Sequence, residues 1–144
     1  MIVLDASALV ELLLHTEAGE AVAARVADPS IGLHIPHLAD IEVTQALRRY
    51  AQIRALQAVE AADALSELHA LDLQRHAHEP LLDRVWELRD NLSAYDATYV
   101  ALAEVLGTIV LTCDAPLSRA PGLGRRVELV DPTKRPGPRR PATS

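Results

Sequence analysis

Two short runs of unbroken apolar residues, each closed by an acid, limit most strongly what this chain can become: "MIVLD" at residues 1–5 and "TIVLTCD" at residues 108–114. A strand wet on one face alternates apolar and polar side chains, whereas a run that is apolar throughout suits a strand covered on both faces. Between them the period changes. "ASALVELLLH" and "GEAVAARVA" read as helices, separated near residues 16–19 and closed by the turn signal Asp28-Pro29-Ser30. "GLHIP" reads as a strand, followed by the helices "HLADIEVTQALRRYAQIR" and "ALQAVEAADALSELHAL". "LDLQRH" is too short for a helix and reads as a third strand. Pro80 suits the start of a helix "PLLDRVWELRDN", and Asn91 and Ser93 mark the passage to "AYDATYVALAEVLG", closed by Gly107. "DAPLSRA" is a helical turn and "RVELV" a last strand.

Strands alternating with helices predict an α/β fold, a three-layer α/β/α domain with a mostly parallel central sheet flanked by helices. At 144 residues one such domain is expected, over residues 1–131, followed by a Pro- and Arg-rich stretch at residues 132–144 that reads as disordered. There is no apolar run of spanning length and no basic leader, so a cytoplasmic protein without a membrane partner is expected. The single Cys113 excludes an internal disulfide and a thiolate zinc site. Three tyrosines, one tryptophan and no phenylalanine argue against a multi-base stacking platform. The formal charge is -6, and the four cations Lys134, Arg135, Arg139 and Arg140 near the C-terminus leave the rest of the chain more acidic still. Such a body does not bind nucleic acid by basic surface alone unless cations neutralise part of it. His76 and His78 of "RHAHE" lack a clear third ligand and read as surface residues. No GxxxxGK[ST] or GxGxxG element offers a phosphate cradle.

In parallel sheets, sites form beyond the carboxyl ends of the strands, where strand order reverses. Asp5 and Asp114 follow the two most apolar strands, so neighbouring strands would bring them to one rim, although either Asp is also a favoured helix cap. Glu42 lies at the border of its helix's apolar side. In "LSAYDATYVALAE", Asp96 heads a stripe with Tyr99, Val100 and Ala103, and Ser93 is the better cap by position and type. Four carboxylates gathered without compensation repel, and burial raises their pKa values further. One or two hard Mg²⁺ or Mn²⁺ ions, which prefer carboxylate and water oxygens, reverse that balance. The chemistry this suits is phosphodiester hydrolysis without a covalent protein intermediate. Ser7 and Thr112 flank the first and last acids and either orient a ligand or bond the local backbone.

The runs "MIVLDASALVELL", "ADIEVTQALRR", "NLSAYDATYVALAE" and "TIVLTCDAPLSRA" together resemble a PIN-domain ribonuclease of the VapC toxin type, from residue 1 to about residue 130. The resemblance implies a PIN-like fold and a Mg²⁺- or Mn²⁺-dependent endoribonuclease acting on RNA. It also implies a homodimer, held inactive by a cognate VapB-type antitoxin that inserts a basic side chain among the carboxylates. Carried over by position, Asp5, Glu42, Asp96 and Asp114 are the catalytic acids. Asp5, Asp96 and Asp114 are the metal ligands, with Asp114 acting more through water, and Ser7, Asn91 and Thr112 are supporting polar groups. For an acidic body to hold RNA, Arg48, Arg49 and Arg54 after Glu42, and Arg84 and Arg89 before Asn91, are the candidate phosphate contacts. Two other classes compete. A phospho-receiver-like domain also gathers acids around Mg²⁺ but needs a lysine at a late strand end, and the only lysine is Lys134. A catalytically silent Mg²⁺-binding interaction domain would use the acids as helix caps.

Overall fold

The computed structural model describes residues 1–133. Five short strands form one all-parallel sheet in the order β3-β2-β1-β4-β5, with β1 Ile2–Leu4, β2 Leu33–Pro36, β3 Leu73–His76, β4 Val110–Thr112 and β5 Val127–Leu129. The helices are α1 Ala6–Leu13, α2 Glu17–Arg25, α3 Leu38–Gln52, α4 Ala58–Ala70, α5 Leu82–Glu87, α6 Ala94–Leu106 and α7 Ala115–Ser118. This is the expected three-layer α/β/α arrangement, with every strand pair parallel. The unbroken apolar runs become β1 and β4, both buried throughout and paired through Val3 with Val110 and Leu4 with Leu111. Strand order reverses at this pair: the chain moves outward through β2 and β3, then returns to the other side of β1. Right-handed crossovers therefore put α1–α4 on one face and α5 and α6 on the other. In keeping with that division, α1 packs on α2, α3 and α4, and α5 packs on α6.

The seven buried residues 97–103 make α6 apolar nearly all round, which fits a helix lying against β1, β2 and β4. Ser93 caps it by accepting a hydrogen bond from the Asp96 N–H at 3.1 Å, and Gly107 ends it at φ 66°, in the left-handed region open to glycine. No helix among the described residues is long and apolar enough to cross a membrane. The stretch expected to be disordered falls on residues 134–144, outside the described residues, apart from Pro132 and Thr133.

Several helix boundaries differ from expectation: α4, read from residue 55, begins at Ala58 after the capping box of Gln57 and Glu60. α2 begins at Glu17 because Thr16 caps it, its hydroxyl accepting from the Gly19 N–H at 3.0 Å, so Gly19 lies inside the helix. The helix expected over residues 80–91 is a 3-10 turn at Glu79–Leu81 running into α5, which stops at Glu87. There the Leu88 N–H is shared between the Arg84 and Val85 carbonyls and the Arg89 guanidinium takes the Trp86 carbonyl. His76 is not a free surface group: its Nε2 lies 2.8 Å from Nδ1 of His34, which is buried. One ring must donate and the other accept, and burial together with the neighbouring His76 lowers the His34 pKa.

The α1–α2 hairpin holds the tightest backbone approach. A Cβ on Gly19 would stand 1.9 Å from the Glu11 carbonyl oxygen, and a carbonyl cannot rotate away as a side chain can. Gly19→Ala is therefore expected to destabilise the fold by about 3 kcal/mol or more despite alanine's better helix propensity, read as a lowered urea midpoint. An unchanged midpoint would show that the hairpin can open at no cost.

Candidate active site

The register of β1 on β4 sets the site. Because Leu4 stands opposite Leu111, Asp5 and Thr112 follow side by side at the strand ends, and the Thr112 hydroxyl donates to Asp5 Oδ2 at 2.5 Å. Asp5 Oδ1 accepts from the Ser7 hydroxyl at 2.7 Å and from the Ala8 N–H at 2.9 Å, so the residue also caps α1. Ser7 and Thr112 are held in turn by the chain after β4: the Cys113 N–H donates to Ser7 Oγ and the Asp114 N–H to Thr112 Oγ1, each at 2.9 Å. Both supporting hydroxyls thus bond the carboxylate and the backbone together. Asp114 opens α7 but its side chain makes no capping bond, so capping does not explain the acid.

The other two acids come from helices on opposite layers. Glu42, one turn into α3, accepts a hydrogen bond at Oε1 from the Tyr99 hydroxyl at 2.8 Å. Tyr99 is 1 % exposed, on the same face of α6 as Asp96. Asp5, Glu42, Asp96 and Asp114 together line one cleft of about 350 Å³, with Ser7, Val10, Glu11, Ala46, Arg49, Tyr50, Tyr99 and Cys113. A larger hollow of about 630 Å³ lies between α2 and the edge strand β5; Glu17, Glu20, Glu128 and Asp131 are on its wall, Arg25 pairs with Glu128 there, and none of the four acids at the strand reversal reaches it.

The cleft raises the pKa of Asp5, Glu42 and Asp96. Burial pushes Asp5 up against the opposing hydrogen bonds of Thr112, Ala8 and Ser7, and the Asp96 charge adds to the effect. Glu42 is raised by burial and by Asp96 and Asp5, with the Tyr99 hydrogen bond working the other way. Asp96 is raised by burial and by Asp114. Burial and then the Glu42 charge push Tyr99 upward, so it stays a protonated donor, and burial with Asp5 and Glu11 pushes the Cys113 thiol up to about 12. Each acid here makes its neighbours harder to ionise.

Not every candidate residue comes to this place. Asn91 is exposed and does not line the cleft. Arg84 is taken up by Glu104 and Glu87, and Arg89 lies over the Trp86 ring at 4.5 Å from its centroid. Both precede Asp96 closely in sequence, but α5 and the turn after it carry them along a different surface. Arg48 and Arg54 are exposed and outside the cleft, whereas Arg49 lines it. Sequence reasoning missed Tyr99 as Glu42's partner and missed Tyr50 and Glu11 as cleft residues. The stripe that marked Asp96 already contained Tyr99, but nothing local pointed to a contact 57 residues away.

A parallel three-layer domain with an acid-lined cleft at its strand reversal is the class that fold and site define. The chain belongs to the PIN domain family, whose pattern matches residues 2–123. It is 44 % identical over 119 residues to VapC ribonuclease Mb0985 of Mycobacterium bovis, covering 82 % of this chain and 89 % of that protein. It is 38 % identical over 130 residues to ribonuclease VapC12 of Mycobacterium tuberculosis, covering 90 % and 99 %. The crystal structure of PAE2754 from Pyrobaculum aerophilum superposes with a TM-score of 0.62 at 26 % identity, over 81 % of each chain.

The raised carboxyl groups fix the sign of a pH effect. A carboxyl whose folded pKa exceeds its unfolded value binds its proton more tightly in the fold. Its stabilisation is complete below the unfolded pKa, near 4, and is lost as pH rises through the folded value. At pH 7 the ionised acids are thus a load on the cation-free fold. Asp96→Asn is expected to raise the melting temperature in EDTA at pH 7 by roughly 2–4 °C, with the gain shrinking toward pH 4. A lower melting temperature at pH 7 would mean that the side chain holds the start of α6 instead.

Proposed function

We propose that the chain is a Mg²⁺- or Mn²⁺-dependent endoribonuclease that hydrolyses RNA phosphodiester bonds, acting as a toxin neutralised by a cognate VapB-type antitoxin. The observation that carries the reading is the convergence of Asp5, Glu42, Asp96 and Asp114, from four separate segments, on one cleft where burial and neighbouring carboxylates raise the pKa of Asp5, Glu42 and Asp96. RNA as the polymer is supported by relatives at 38–44 % identity that are VapC ribonucleases.

The donor set fits a hard divalent cation. It is all carboxylate oxygen, and its mutual repulsion is what a cation relieves. Among the described residues no three His, Cys, Asp or Glu side chains form a closed metal-binding group. Acids ranged around a cleft without enclosing a point suit an ion that keeps several of its own waters, as Mg²⁺ does. Asp5 and Asp96 would hold it, with Asp114 acting through water, and when bound it would supply positive charge at the scissile phosphate and acidify the attacking water. The protein's own part is positional. Thr112, Ser7 and the Ala8 N–H fix the Asp5 carboxylate from three directions, and Tyr99 fixes Glu42, which is placed to accept a proton. Arg49 supplies the cleft's positive side chain for RNA phosphate. The homodimer and the antitoxin contact belong to the same proposal. Exposed Leu82, Trp86 and Tyr95 are apolar surface for a protein contact, and the acidic cleft complements an inserted basic side chain.

Purified protein incubated with RNA is expected to cleave it in Mg²⁺ or Mn²⁺ and to stop in EDTA. Asp5→Asn or Asp96→Asn should each lower the rate by at least about 100-fold, since even outer-shell changes at metal sites cost about 10- to 100-fold. Cleavage that survives both substitutions would sink the assignment.

A further inference from the structure

The cleft has a second end. Along α3 the residues Glu42, Ala46, Arg49 and Tyr50 follow one another at helical spacing and all line it, while Val10 and Glu11 of α1 also line it. At 1.5 Å per residue, Arg49 and Tyr50 stand about 11–12 Å from Glu42 along the helix. The chemistry there differs from that of the carboxylate end. Arg25, Arg75, Arg84, Arg89 and Arg126 are each engaged by a carboxylate or a carbonyl, whereas the Arg49 guanidinium makes no hydrogen bond or ion pair with another described residue. Tyr50 is 37 % exposed, so part of its ring is covered by the protein and part is open.

Glu11 decides what such a place accepts. Its Oε2 takes the Thr16 hydroxyl, and its charge stands on the cleft wall in addition to the four acids of the other end. An RNA backbone turned into this region would meet those charges with only Arg49 to offset them. A base carries no charge, offers a π-face to Tyr50 and presents N–H donors that a carboxylate can accept. One aromatic makes a clamp for one base, in keeping with a composition too poor in aromatics for a multi-base platform.

We propose that the distal end of the cleft is a nucleobase subsite: Tyr50 stacks on one unpaired base near the scissile phosphate, Arg49 contacts that nucleotide's phosphate, and Glu11 keeps further phosphates out. The subsite rests on the ribonuclease reading and adds what the cleft selects. A base inside a duplex has both faces covered by its neighbours, so the strand must be open at this nucleotide, within the short reach from Glu42 to Tyr50.

The test uses one RNA that the protein cuts, synthesised with a single abasic ribose at each position in turn around the cut. Metal-dependent cleavage that survives Asp96→Asn overturns the ribonuclease reading and the subsite with it. With that cleavage abolished, one abasic position near the cut is expected to lower wild-type kcat/KM by about 10- to 100-fold, the range that base–aromatic stacking supplies. Tyr50→Leu should lose a similar factor on intact RNA and nothing further at that position, while Tyr50→Phe keeps the wild-type value. Arg49→Gln should weaken binding of the intact and the abasic RNA alike and flatten its salt dependence, read by fluorescence anisotropy in the Asp96→Asn background. Matching melting temperatures show that the variants fold. Tyr50→Leu cutting intact RNA like the parent, or adding its full loss to that of every abasic position, overturns the subsite while leaving the ribonuclease reading intact.

Discussion

The hydrogen bond from Thr112 to Asp5 ties together the ends of the two central strands, and the cleft takes its position from that bond. It exists because β1 and β4 pair in one register: a slip of one residue would turn Asp5 and Thr112 to opposite faces of the sheet. The apolar residues that enforce the register, Val3, Leu4, Val110 and Leu111, are completely buried, so the core and the site are specified by the same pairing. Burying a carboxylate at that point is expensive, and three neutral donors offset only part of the cost, which is why Asp5 is left with a raised pKa. The remaining acids join this fixed point from α3, α6 and the start of α7.

What could be read from the sequence followed from how local each signal was. The runs "MIVL" and "TIVLT" carry burial on both faces in their own composition, so the central strands and the acids that end them were legible, whereas their pairing side by side is a long-range contact that only the fold supplies. Ser93 and Asp96 were legible for the same reason, because cap and acid are three residues apart on one helix. Glu42 showed only as an acid on a border, since what holds it is a tyrosine hydroxyl from another layer. The opposite error affected Asn91, Arg84 and Arg89. Nearness to Asp96 along the chain suggested nearness in space, but the early end of α5 and the ion pairs of Arg84 direct that segment elsewhere. His76 was misjudged likewise, because its partner His34 lies on a strand 42 residues earlier.

Acids are treated in two different ways in this molecule, and the contrast shows what the cleft is built to keep. On the surface, Asp40, Glu128 and Glu104 are each paired with an arginine, Arg75, Arg25 and Arg84, at 2.7–2.8 Å. In the cleft, Asp5 is bound by two hydroxyls and a backbone N–H, and Glu42 by a phenol. Neutral donors orient a carboxylate without cancelling its charge, whereas a guanidinium in Tyr99's place would have satisfied Glu42 and removed the pull on a cation. Arg49 stands in the same cleft about 11 Å along α3 from Glu42, close enough to act on a bound polymer and too far along the helix to neutralise the acids in its absence. The site is therefore held in shape by groups that leave its negative charge unspent. The surplus makes the empty fold less stable at neutral pH, and it is the same surplus that a divalent ion would meet.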